Sequence, residues 1–349
     1  MKFDYIIGNP PYQEQIEGDN KNSAAPIYPQ FLDSSFKIGK AVELIHPARF
    51  LFNAGSTSKS WNEKMLNDKH FKILSYEANS SLVFPGTDIK GGVAVSLHNA
   101  DKTFDPIKIF TSFPELTSLL KKVTNNNDFV SFSSIVVTRT AYRFTDKMHK
   151  DNPTAISKLS NGHPYDMSTN IFDRLPNLFT DKKPEDGHEY IQILGRDNNQ
   201  RSFKFIRADY VNNPDNLSSW KVFVPAANGS GALGEVLSTP LIGQPLIGQP
   251  LIGHTESFIS IGNFDSRQGA TSAMKYIKTK FARCLLGILK ATQHNPPEKW
   301  AYIPLQDFTN ESDIDWSKSI PEIDQQLYKK YGLDDDEIEF IESHVKEMN

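Results

Sequence analysis

Phe3-Asp4-Tyr5-Ile6-Ile7-Gly8, followed at once by Asn9-Pro10-Pro11-Tyr12-Gln13, decides how this chain is read. The first six residues are a short apolar run that stops at a glycine, which predicts a strand. The next four predict a stiff loop. Two consecutive prolines fix φ and remove two N–H donors, so the loop holds its carbonyls outward. A loop directly after a strand lies where α/β sheets place their ligands. The side-chain oxygen of Asn9 and the backbone carbonyl of Pro10 are then two neighbouring acceptors, with the flat ring of Tyr12 beside them.

Outward from this stretch, helical spacing returns from Ile27 to Ile38, and Ala41 to Ile45 reads as a second strand. A helix near Lys59 to Leu66 precedes two further strands, Lys72 to Tyr76 and Gly92 to Leu97. Strands alternating with helices predict βαβ units and a largely parallel sheet, in which residues 3–8 would be a central strand buried on both faces. Past residue 105 the character changes: polar clusters punctuate short strand-like runs at Tyr190 to Leu194, Ser202 to Ile206 and Lys221 to Val224. This predicts a second, mixed α+β domain, with the first spanning residues 1–110 and the second residues 111–349. A helical pattern from Ser272 to Thr292 and shorter ones near Glu322 to Lys330 and Asp335 to Lys346 close the chain, with Gly332 as a C-cap between the last two.

The five residues Pro240-Leu241-Ile242-Gly243-Gln244 recur as Pro245 to Gln249 and again, ending in His, as Pro250 to His254. Three short copies are too few for a solenoid. Their prolines and glycines predict an extended surface loop that tolerates duplication; a DNA-contacting loop is the alternative.

The 349 residues are long enough for two buried cores, and 38% hydrophobic with 23% charged residues describes a globular chain. A single cysteine, Cys284, excludes an internal disulfide and argues against a zinc site, as do nine scattered histidines. No secretory or membrane-spanning pattern is present, so a cytoplasmic location is expected. The net charge of −4 means that any contact with a polyanion must come from local patches.

Two acceptors aimed at the hydrogens of an aromatic amine pull its nitrogen towards tetrahedral geometry and expose the lone pair to an in-line methyl donor. Asn9 and Pro10 supply such a pair, Pro11 stiffens it, and Tyr12 offers a stacking face for a base swung out of a duplex. A plain rigid turn, or a proline-rich ligand for an adaptor domain, is the alternative. In this context Phe3 to Gln13 resembles motif IV of the amino-methyltransferases, most closely the gamma-order adenine-N6 DNA methyltransferases of type II restriction-modification systems. Leu44-Ile45-His46-Pro47-Ala48-Arg49-Phe50 is similar to the strand and loop that shape the base pocket of that family. Val83-Phe84-Pro85 through Val93 is similar to its motif VIII, which implies that Phe84 packs the second face of the target base; a core aromatic is the alternative.

Further on, Ile193 to Asn198, Trp220 to Pro225, Asn228 to Gly231 and Lys275 to Arg283 resemble the target-recognition regions of the same enzymes. The resemblance implies a partial Rossmann-like methyltransferase sheet followed by an α+β recognition domain, double-stranded DNA as partner and S-adenosylmethionine as cofactor. The family's glycine-rich cofactor turn lies upstream of motif IV, where this sequence has eight residues. Gly91-Gly92 and Gly229-Ser230-Gly231 lack the surrounding βαβ pattern. The expectation is therefore a fragment, a late start or a split enzyme whose cofactor half comes from a second polypeptide. Three basic clusters interleaved with aromatics supply candidate DNA contacts: Arg139 and Arg143; Arg201, Lys204 and Arg207; Lys278 and Lys280. Arg196 and Asn198 carry the side chains suited to guanine and adenine edges. In the second cluster, alternation puts Phe203 and Phe205 on one strand face and Ser202, Lys204 and Ile206 on the other. The rivals are a DNA-specificity module without chemistry of its own, and a nuclease suggested by Asp88-Ile89-Lys90, which lacks a Pro-Asp upstream.

Overall fold

The run Phe3–Gly8 forms the first strand, β1, of a computed structural model that describes residues 2–14, 25–53, 56–89, 91–212, 214–290 and 292–348. The chain divides into two compact units, Met1–Thr117 and Ser118–Asn349.

In the first unit β1 is followed by α1 (Tyr28–Ile38), β2 (Gly39–Pro47), α2 (Lys59–Asn67), β3 (Phe71–Glu77) and β4 (Val93–Asn99). The sheet order is β1-β2-β4-β3. β1 and β2 are parallel, with Tyr5 opposite Ala41 and Gly8 opposite Leu44. β4 is antiparallel to both β2 and β3. The expectation of a largely parallel sheet is corrected here. Among the described residues no α-helix joins β3 to β4, and β4 returns in the opposite direction to insert between β2 and β3.

Alternation sorts the strand residues. Val42 and Leu44 of β2 face a core shared with Tyr28 and Leu32 of α1, and Ile6 of β1 packs against it. Phe50 anchors the same core with Trp61, ring centroids 5.0 Å apart, a contact type that adds about 0.5–1.5 kcal/mol beyond the buried area. The other face of β1 is bare: Phe3, Tyr5 and Ile7 are 45%, 79% and 81% exposed. β1 therefore stands at the sheet edge rather than at its centre, with one apolar face uncovered among the described residues.

The division between units falls within α3 (Pro114–Thr124). The second unit contains β5 (Val136–Val137), α4 (Asp146–Asp151), α5 (Ile171–Arg174), β6 (Tyr190–Asp197), β7 (Gln200–Arg207), β8 (Trp220–Pro225), β9 (Leu246–Gly248), β10 (Ile252–His254) and β11 (Phe258–Phe264). The helices α6 (Arg267–Lys278), α7 (Lys280–Leu289), α8 (Ile320–Lys330) and α9 (Asp335–His344) follow. The strands form sheets in the orders β10-β6-β7 and β5-β11-β8-β9. Ile191, Ile193 and Ile206 pack with Met148, Ile171 and Phe172 in one core. Leu194, Phe223, Ile242 and Phe258 form another.

Two expectations are corrected in this unit. The helical pattern expected from Ser272 to Thr292 is two helices, broken at Thr279. Its ψ of 150° ends α6, and its hydroxyl accepts from Ala282 N at 3.1 Å to cap α7. Buried Asp324 reinforces that cap by accepting from the amides of Lys280 and Phe281, although burial pushes its carboxyl up to about 6. The repeat is not one extended surface loop. Its first copy is a turn closed by Thr239 and Gly243, its second is β9 paired with β8, and its third ends in β10, parallel to β6. One residue of each Leu-Ile pair supplies the reason: Ile242, Leu246 and Ile252 enter or line the core around Phe223, while Leu241 and Leu251 stay exposed, so each copy is a structural element with one side packed.

Candidate functional site

β1 and β2 run side by side in the same direction, so Asn9 to Gln13 after β1 and the stretch from Pro47, the last residue of β2, to Arg49 emerge at one sheet end. β4 begins at that same end, because Val93 pairs with Pro47. A cleft of about 770 Å³ opens there, of a size suited to a small-molecule group. Asn9, Pro10, Pro11 and Tyr12 line it together with Tyr28 from α1, Pro47 at the end of β2, Arg49 after it, and Phe84, Asp88 and Ile89 before β4.

The Asn9–Tyr12 loop is tied at its far end. Tyr12 O accepts from Ile27 N at 3.1 Å, just before α1, and Gln13 bridges to Pro26. Asn9 and Pro11 remain exposed, whereas Pro10 and Tyr12 are half-buried. The Tyr12 hydroxyl is buried and has no hydrogen-bond partner among the described residues, and burial raises its pKa above the usual tyrosine value. Across the cleft, Phe84 stands edge-on to Tyr12, ring centroids 6.3 Å apart and planes at 66°. Phe84 is half-buried and does not belong to the described core clusters.

The loop carrying Phe84 is folded on itself. Ser80 Oγ accepts from Ile89 N at 2.8 Å and donates to Thr87 O, and the Thr87 hydroxyl donates to Phe84 O. It closes at Gly92, whose φ is +75°; an added Cβ would lie 2.3 Å from Glu77 O. Only glycine fits that crossing. Beneath the cleft, His46 is fully buried, stacked on Tyr28 with planes at 6°, and its Nε2 meets Ser96 Oγ at 2.8 Å. Burial pushes its pKa down to about 4, so it is neutral under ordinary conditions.

Tyr28 escaped the sequence reading as a lining residue, whereas Arg49 lies in the stretch Leu44 to Phe50 that was expected to shape the pocket. Tyr28 starts a helix whose apolar spacing marks it as core, and it is core, 3% exposed. Its place at the cleft follows only from α1 crossing between two parallel strands. Lys90, the last residue of the nuclease-like Asp88-Ile89-Lys90, lies outside the described residues.

The two glycine stretches are occupied by the protein itself. Gly92 accommodates the Glu77 carbonyl. In the second unit, the amides of Ser230 and Gly231 both donate to the Glu235 carboxylate, at 2.8 and 3.0 Å, with the Ser230 hydroxyl adding a third contact. Lys290 lies 3.6 Å from the same carboxylate. These amides form an anion-binding nest already filled by an internal anion, and they do not fit a cofactor's phosphate or carboxylate.

The candidate DNA contacts are all in the second unit, and they differ in their surroundings. Arg143 pairs with Asp166, Lys204 with Asp181 and Asp197, Arg207 with Asp209, and Lys280 with Glu342. Arg139 is exposed. Arg201 donates to the backbone carbonyl of Gln244 at 3.0 Å, and Lys278 lies 3.4 Å from the side-chain oxygen of the same residue. Asn198 and Asn199 are the two residues of the β6–β7 hairpin turn, with φ of +47° and +62°, the left-handed pair of a type I′ turn. That turn chemistry was available in the sequence as Asn-Asn between two strand-like runs.

Residues 1–84 match the family model described as Eco57I restriction-modification methylase. A curated protein of Mycoplasma pneumoniae, named as an uncharacterized adenine-specific methylase, is 34% identical over 95 residues, covering 27% of this chain and 22% of that protein. The chain thus spans about a fifth of that relative's length. Among solved structures, the type IIL restriction-modification enzyme MmeI in complex with DNA aligns with 98% of this chain and 56% of its own, at 9% identity and a TM-score of 0.42. The type IIG restriction endonuclease BpuSI aligns with 87% of this chain and 44% of its own, at 10% identity and a TM-score of 0.33. The resemblance first carried by Phe3 to Gln13 therefore extends through residues 1–84 as a restriction-modification methylase segment, and the chain as a whole is mixed α/β. No helix among the described residues is long and apolar enough to cross a membrane.

Proposed function

We propose that this chain holds the target base and reads DNA for a site-specific adenine-N6 methyltransferase of a restriction-modification system. One observation carries the reading: Asn9 to Tyr12 and Phe84 line one cleft at the end of two parallel strands, with the two aromatic rings facing each other across it. Within that cleft the side-chain oxygen of Asn9 and the carbonyl of Pro10 accept the two hydrogens of the adenine amine. The nitrogen then presents its lone pair outward. Tyr12 and Phe84 take the two faces of the flipped base, and the buried Tyr12 hydroxyl offers one further polar contact. Pro11 holds the carbonyl of Pro10 in place.

Methylases of this kind draw the methyl group from S-adenosylmethionine. The glycine stretches of this chain do not fit that molecule, so its binding is assigned to none of the residues described above. A second polypeptide supplying the cofactor-binding half is supported by the free edge of β1 and the bare face formed by Phe3, Tyr5 and Ile7, where a parallel sheet ordinarily continues beneath a covering layer. The second unit, by its basic and aromatic strand faces, is the DNA-reading part, and residues 1–110 belong to the catalytic domain.

A DNA-specificity module with no chemistry of its own is the second reading, favoured by the Glu235-filled nest. The two separate when the chain is mixed with labelled S-adenosylmethionine, adenine-containing duplexes and a cofactor-binding methyltransferase half. Transfer that disappears in Asn9→Ala supports the enzyme. Duplex binding without transfer under any complementation supports the module.

A further inference from the structure

Arg196 and Arg201 stand directly opposite each other across β6 and β7, so their side chains leave the same face of the hairpin. Like charges opposed in this way destabilise a strand pair, and nothing in the hairpin offsets them: neither arginine forms an ion pair among the described residues. Most of the other candidate cations are matched to a carboxylate, as Lys204 is to Asp181 and Asp197 on the opposite face. Arg201 reaches only a neutral acceptor, the carbonyl of Gln244 in the first repeat copy, and Lys278 approaches the side chain of that same residue. Phe203, two residues from Arg201 and therefore on the same face, leaves 38% of its surface exposed.

We infer that Arg196 and Arg201 form a two-arginine clamp for the phosphodiester backbone of nucleic acid, with Phe203 as its apolar wall and Gln244 of the first repeat copy holding Arg201 in position. This rests on the reading of the second unit as DNA-binding and says which of its cations take phosphates. Guanidinium forks match the two free oxygens of a phosphodiester. Two forks held side by side without internal anions suit a ligand that repeats its negative charge, and an exposed aromatic on the same face suits the apolar edge of a sugar or base. The carboxylate-matched cations are structural by the same reasoning, because an incoming phosphate would have to displace an anion already in place.

The test is fluorescence anisotropy of the full chain on a labelled mixed-sequence duplex, titrated across about 50 to 200 mM salt. Arg196→Gln and Arg201→Gln are each expected to lower the log–log salt slope by about 0.9, and the double variant by about twice that. Lys147→Gln, which removes a cation already paired with Asp151, keeps the parent slope. The melting temperature of Arg196→Gln stays level or rises, since a like-charge pair is relieved, which a structural role for Arg196 would not produce. If the parent binds the duplex and both variants keep its slope, the clamp is wrong while the DNA reading stands. Absence of duplex binding by the parent overturns both. Arginine-dependent binding of poly-glutamate in place of the duplex overturns the clamp in favour of an acidic protein partner.

Discussion

Tyr12 and Phe84 face each other edge-on, 6.3 Å apart, from two loops that lie more than seventy residues apart in the chain. A base stacked between parallel rings needs two contacts of about 3.5 Å, so the observed gap is slightly too narrow and the rings are turned. On the proposed reading, a base fits between them only when the two rings turn towards parallel and separate slightly.

This relationship predicts the effect of removing either ring. Tyr12→Ala and Phe84→Ala should each weaken base capture by about 1–3 kcal/mol, roughly five- to 150-fold. The fluorescence of 2-aminopurine placed at the target adenine of a duplex reads this directly. Equal fluorescence changes in parent and both variants would remove the rings from base handling.

Gly92 sets the shape of the same loop. Gly92→Ala places a Cβ against the Glu77 carbonyl at a φ of +75°, and the left-handed backbone and the clash together should cost about 2–4 kcal/mol. Denaturant unfolding measures the loss. A variant as stable as the parent would show that the β4 entry is not constrained in this way.

Two buried histidines predict a pH dependence. His46 in the first unit and His254 in the second are fully buried, and burial lowers each to about 4 from an ordinary value near 6.5. The folded pKa lies below the unfolded one, so the unfolded chain takes up protons first as pH falls. The stability of the neutral forms is complete above about pH 6.5 and is lost on descending to about 4, by roughly 3 kcal/mol for each histidine. Thermal melts of the parent and of His46→Gln across that range test it. The variant should be less stable at neutral pH and show a shallower decline. An unchanged slope would mean that His46 does not titrate differently on unfolding.

The strand Phe3–Gly8 and the loop Asn9–Tyr12 were legible because an apolar run, a glycine and two prolines are local signals that tertiary context does not override. The strands of the hairpin Tyr190–Arg207 were legible from alternation, which correctly separated Phe203 from Ile206. The insertion of β4 between β2 and β3 was not, since strand direction depends on whether a crossover helix intervenes, and Ala78 to Gly92 carries no mark of its shape. The repeat shows the limit most clearly. Leu-Ile-Gly occurs three times, yet Leu241-Ile242-Gly243 is a turn, Leu246-Ile247-Gly248 a strand in one sheet, and Ile252-Gly253 part of a strand in another. Which neighbour covers each copy decides its conformation, and no local signal names that neighbour. Thr279 was missed for a related reason: apolar helical spacing continues through it, and the break comes from its cap on α7 and from Asp324, more than forty residues later.

The central claim, that Asn9 and Pro10 hold the amine of a target adenine, is tested most directly by the base modified in DNA. Cells that lack endogenous DNA methylation would co-produce this chain with a cofactor-binding methyltransferase half, and their DNA would be digested to nucleosides for mass spectrometry. The parent chain is predicted to yield N6-methyladenine, and Asn9→Ala to reduce it by about a hundredfold or more. N6-methyladenine at equal levels with parent and Asn9→Ala, methylation at another atom, or its absence with the parent chain would contradict the account.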